Sequence, residues 1–214
     1  MFADPRLVAI GGATATINFW RTTWSALLVL YAVRDLGMSP AAVGVTYALG
    51  SVGGLLGAQL ASPFDRALGP VRTIALTLSV SCAFALLLPL AVPGIAAFLL
   101  LSVSQIGMEA ANVSFGITTV SFRQVIVPDR LIGRVSSVMK FASWGVAPTL
   151  GALVGGLLGT LLPLRAAVAI GVVGGLSTGL WFALPWLAHQ SWIHAVADEV
   201  PERAAENGVL PPES

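Results

Sequence analysis

Six runs of apolar residues, at about 7–33, 42–62, 73–91, 95–119, 136–160 and 164–187, take up most of this chain. A helix rising 1.5 Å per residue needs about 20 such residues to cross a hydrocarbon layer roughly 30 Å thick, and each run meets or slightly exceeds that length. Composition agrees: 56% of the residues are hydrophobic and only 10% charged, where an ordinary soluble domain carries roughly 25% charged residues. The expected fold is an all-α membrane protein, a bundle of six transmembrane helices over 1–189 followed by a polar tail over 190–214. The first run is not read as a cleavable signal peptide. It is too long, it follows Asp4 and Arg6 rather than a basic cluster, and it holds Asn18 and Arg21.

Short joints separate the runs: RDLGMSP at 34–40, PFDRALGPVR at 63–72, VPG at 92–94, the passage around 123–135, and LPLR at 162–165. Basic residues divide unevenly among them. Arg66, Arg72, Arg123, Arg130 and Arg134 fall in the joints after the second and fourth runs, against Arg34 and Arg165 in the other three. The richer side is expected to be cytoplasmic, which with six spans puts both termini there and makes Trp181, Trp186 and Trp192 interface anchors near the last exit. A net charge of +1 gives no global field to attract nucleic acid.

The chemistry is concentrated at membrane depth. LSVSQIGMEAANVSFG places Ser102, Gln105, Glu109, Asn112 and Gly116 at steps of three and four, one face of a helix. The first run repeats the pattern with Thr14, Asn18, Arg21 and Ser25. Charged side chains inside a membrane are costly and face a partner or a watery path, so two such stripes predict a shared cavity. With antiparallel helices, Arg21 and Glu109 differ in depth by roughly 6 Å, within reach of two long side chains. Two readings stand: Glu109 as a protonatable coupling group with Arg21 beside it, or a pair that only fixes helix registry.

Small residues supply packing faces. Gly151, Gly155 and Gly159, then Gly171, Gly175 and Gly179, are spaced by four, as are Gly50 with Gly54 and Gly53 with Gly57. Such faces let helices approach closely in lipid. Pro148 and Pro185 are expected to bend the fifth and sixth spans. Asp65, Arg66 and Gly69 of DRALG recur in spacing as Asp129, Arg130 and Gly133 of DRLIG. Both segments, with Arg72, Arg123, Pro128 and Arg134, read either as cytoplasmic gating turns or as charged turns that anchor loops. No phosphate-binding loop motif is present, and His189 and His194, five apart, have no third ligand nearby, so neither enzyme, metal nor cofactor is expected. The single cysteine, Cys82, excludes an internal disulfide and reads as a small apolar filler.

RQVIVPDRLIGRVSSVMKFASWGVAPTLGALVGGLLG, at 123–159, resembles the passage from fourth to fifth helix in the C-terminal half of major facilitator superfamily transporters. The likeness is to the exporter branch that includes enterobactin-exporter-like and macrolide-efflux proteins. DRALGPVR is similar to the superfamily's cytoplasmic signature, departing from it at Ala61, where a Gly is usual, and by one extra residue between Arg66 and Gly69. The resemblance implies half of a twelve-helix fold, a three-plus-three inverted repeat whose first and fourth helices line a cavity. It implies export of small amphipathic molecules such as drugs or siderophores, exchanged for protons across the cell membrane. On that footing Glu109 is the coupling or substrate-cation group, Arg21 its partner or an anion contact, and Asn18, Gln105 and Asn112 polar cavity contacts. It also implies a second six-helix half, whether a separate chain, a second copy or the rest of a longer protein. The competing expectation is a non-transporting half that pairs with another transporter chain.

Overall fold

A computed structural model describes residues 5–126, 137 and 140–179, and within them every regular element is helical. The helices are α1 (Pro5–Arg34), α2 (Pro40–Leu68), α3 (Pro70–Ala85), the single turn α4 (Leu87–Leu90) and α5 (Ile95–Ile126). After residue 140 come a π-helical segment (Phe141–Val146), α6 (Ala147–Leu161), α7 (Leu164–Gly175) and a closing 3₁₀ turn (Leu176–Gly179).

Among the described residues four helices are long and apolar enough to cross a membrane: Pro40–Leu68, Arg72–Leu90, Ile95–Ser121 and Phe141–Leu161. α1 is not among them despite its 30 residues, because Asn18, Arg21 and its threonines dilute its hydropathy. Leu164–Gly179 is apolar but shorter, and the rest of the expected sixth span, with Pro185, lies outside the described residues. So do Trp181, Trp186, Trp192, both histidines and the tail. The surface supports a lipid environment: Leu153 and Leu161 on α6 are 66% and 70% exposed, a costly arrangement in water and the normal one against acyl chains.

One expected joint needs correcting. The stretch 63–72 is not a loop: α2 runs through Pro63 to Leu68, and α3 begins at Pro70. Ending a helix exposes four carbonyls, whereas passing through a proline gives up one bond, so continuation wins. Only Gly69 interrupts the chain, at φ 79°, a conformation open to glycine at little cost. Its N–H donates to the Asp65 carbonyl at 3.0 Å, and Pro70 occupies the first helical position, where no N–H is needed. The fourth run is likewise longer than expected, with α5 continuing past 119 to Ile126. At the other end Ser39 caps α2 by accepting from the Ala42 N–H at 3.2 Å.

Two interfaces hold the bundle together, and both bring backbones into contact. A Cβ added at Gly53 would overlap the Ile106 carbonyl oxygen, and one at Gly57 that of Ala110, so α2 lies directly on α5. On the other side Gly151 and Gly155 stand against the carbonyls of Phe19 and Thr23, and α6 lies directly on α1. Aromatic rings complete each side. Phe84 of α3 covers Gly107 of α5, and Trp20 of α1 covers Gly174 of α7. Of the glycines expected on α7, Gly171 does meet Trp24, at 2.9 Å from an added Cβ, but Gly179 meets nothing within 4 Å.

The main apolar core, which includes Leu28, Tyr31, Leu88, Leu101 and Val168, fills the end of the bundle away from Gly69. There Arg165 closes the end of α4, its Nε donating to the Pro89 carbonyl at 2.9 Å and its Nη2 to that of Ala91. A guanidinium is well matched to the negative end of a helix.

Candidate functional site

α1 and α5, the two helices with polar stripes, hardly touch each other, since each is occupied by its glycine-bearing neighbour. What joins them is an ion pair: Arg21 Nη2 donates to Glu109 Oε1 at 2.7 Å. The side chains are 36% and 31% exposed, so the pair sits at a partly open site. Long side chains were needed to span the difference in depth, and these two do so through one nitrogen and one oxygen.

Beside the pair lies a cavity of about 30 Å³ whose polar lining comes from Arg21, Glu109, Asn112, Ser81 and Cys82. Such a volume admits one or two waters. A drug-sized ligand needs roughly 300–1,000 Å³. The cavity is thus of a size for water beside the pair and too small for such a ligand. α3 contributes Ser81 and Cys82, so Cys82 is a cavity-wall residue as well as a small filler. Tyr47 of α2, 41% exposed, lies within electrostatic reach of both charges. Gly50, one turn further along α2, opposes Glu109, whose Cγ would stand 3.5 Å from an added Cβ.

The stripes do not stay together. Of the eight residues expected to line one cavity, Arg21, Glu109 and Asn112 do so. Gln105 is buried and faces Gly50 of α2. Ser102 is also buried, its hydroxyl without a partner among the described residues. Thr14 and Ser25 are half-buried on α1, away from the cavity. Asn18 is committed elsewhere: its Nδ2 donates to the Ser143 carbonyl at 2.8 Å. A polar stripe spans enough of the helix circumference to face several neighbours, and α1 has α6 and α7 on different sides.

At the Gly69 end, Asp65 accepts from the Thr118 hydroxyl, at 2.9 Å and 3.0 Å to its two oxygens. Arg66 and Arg72 are exposed. Asp65 and Arg66 thus belong to the last turns of a helix, and the carboxylate ties α2 to α5. Pro128, Asp129, Arg130, Gly133 and Arg134 lie outside the described residues. Arg123 falls within α5, its side chain undescribed. Sequence reasoning missed Tyr47, Thr118 and Ser143. Thr118 sits off the stripe, and Ser143 contributes a carbonyl, which carries no residue-type signal. Among the described residues no three His, Cys, Asp or Glu side chains gather as a metal site requires.

Compared with family models, curated proteins and solved structures, the chain matches none.

Proposed function

We propose that this chain is a six-helix half of a secondary exporter of the major facilitator kind, moving small amphipathic molecules out across the cell membrane in exchange for protons. The observation that carries the reading is the Arg21–Glu109 pair, a 2.7 Å contact beside a water-sized cavity between apolar helices. A carboxylate held there by an arginine can take up a proton, release its partner and lose the proton again, which is the chemistry of a coupling group.

The packing pattern supports a three-plus-three repeat. Counting α3 and α4 as one span, the second span lies on the fourth and the fifth on the first, each through glycines four apart. The third covers a glycine of the fourth, and a residue of the first covers a glycine of the sixth. An inverted repeat exchanges these helix pairs; the glycine roles follow it in the first two, while in the last pair ring and glycine have changed helices. Among the described residues the cavity that holds the pair is only water-sized, which fits a unit completed by a second half, from a second copy or another protein. In this reading both termini face the cytoplasm, and lipid covers the exposed leucines.

The test is energised export from vesicles holding this chain and its partner half, normalised to inserted protein. Glu109→Gln should accumulate normally and lose proton-driven export. Full proton-dependent export by that variant rejects the coupling role. If Glu109 only balances Arg21, the single change should lower folded protein, and Arg21→Met combined with Glu109→Gln should restore both abundance and export.

A further inference from the structure

The Ser143 carbonyl sits where the fifth span has no main-chain donor to offer. The Ala147 N–H donates to the Ala142 carbonyl, the five-residue step of a π turn. The same step from Ser143 leads to Pro148, which has no N–H. Ser143 is 3% exposed, so water is not at hand, and a buried carbonyl without a donor is unfavourable. Into this vacancy comes Asn18, itself 8% exposed, with Nδ2 at 2.8 Å from the oxygen.

We propose that Asn18 is a positioning residue: its amide replaces the N–H that Pro148 lacks, and so pins the π-helical segment of the fifth span to α1. Nothing else in the pattern accounts for a buried asparagine turned away from the polar cavity. The bond continues the contact that Gly151 and Gly155 make with the carbonyls of Phe19 and Thr23. α1 and the fifth span are thereby locked from the π-helical segment to beyond the middle of α6. Arg21 stands one turn from Asn18, so the ion pair and the anchor of the π-helical segment share one helix. The bond is independent of the transport reading, whereas its consequence for coupling rests on that reading.

A double-mutant cycle on the full chain tests the bond. Asn18→Leu keeps the side-chain shape and removes the donor. It should shift the unfolding equilibrium about tenfold toward the unfolded form. On a Pro148→Ala background the main chain recovers its donor, and the same change should cost about twofold or less. Equal losses on both backgrounds overturn the proposal, as does failure of Asn18→Leu to accumulate on either. A second measurement uses the unaltered protein. The chain has three asparagines, at 18, 112 and 207, so ¹⁵N-asparagine labelling gives three side-chain amide signals. One Asn18 amide proton should be protected from exchange, and free exchange of both overturns the proposal. Export separates the two ideas: normal proton-driven export by Glu109→Gln sinks the coupling role while leaving the rescue by Pro148→Ala intact.

Discussion

The α2–α5 and α1–α6 interfaces use the same device and differ in one respect. In both, two glycines four residues apart lie on carbonyls of the facing helix. Across α2–α5 the polar supplement is a hydroxyl, Ser114 Oγ donating to the Gly57 carbonyl at 2.6 Å, and that carbonyl also belongs to a regular helix. Across α1–α6 it is an amide, and the carbonyl it serves has been orphaned by a proline. The first hydrogen bond adds to a structure already satisfied; the second repairs one. Two short bonds, 2.6 Å and 2.8 Å, thus conceal unequal consequences, because the cost of deleting a donor depends on what the acceptor has left.

The largest effect should come from filling the glycine contacts. Gly57→Leu and Gly155→Leu each place a side chain where a carbonyl now stands, and folded protein should fall below detection in an SDS-unfolding assay. A variant with near-normal stability would mean that the two helices are not in backbone contact. Next, Asn18→Leu should cost about 1.4 kcal/mol, the tenfold shift expected above and within the range for stranding a buried polar group. Ser114→Ala should cost nearer about 0.6 kcal/mol, the average for a hydrogen bond between membrane helices. Equal costs in the same assay would erase the distinction between supplement and repair. The smallest effect belongs to Gly156→Ala, where nothing lies within 4 Å of an added Cβ. Its unfolding free energy should stay within about 0.5 kcal/mol of the parent, since a better helix former is gained and no neighbour is displaced.

Period and hydropathy made the helical character of the chain readable, because lipid-facing runs leave a composition signal that needs no tertiary information. The meeting of Arg21 and Glu109 was readable for a similar reason: in an apolar sequence each charge is conspicuous. Direction was harder. Spacing put Asn18 and Gln105 on the same faces as Arg21 and Glu109, but which neighbour each meets depends on helix packing angles that no local pattern encodes. Pro63 shows a second limit. Beside FDRALG it reads as a break, and its tolerance inside α2 comes from the cost of exposing helix ends near lipid, a property of the surroundings. Pro148 shows a third, since a bend could be expected there but not the carbonyl it strands or the residue that answers it.

The guanidinium of Arg165 lies 76 and 74 residues downstream of the carbonyls it closes at Pro89 and Ala91. On a ribosome adding about 5–20 residues per second, that separation is a delay of about 4–15 seconds. For that interval the end of α4 has left the ribosome without its cap and must rest on headgroups or water. This end of the bundle is therefore finished late in synthesis, only once the first turn of α7 has been made.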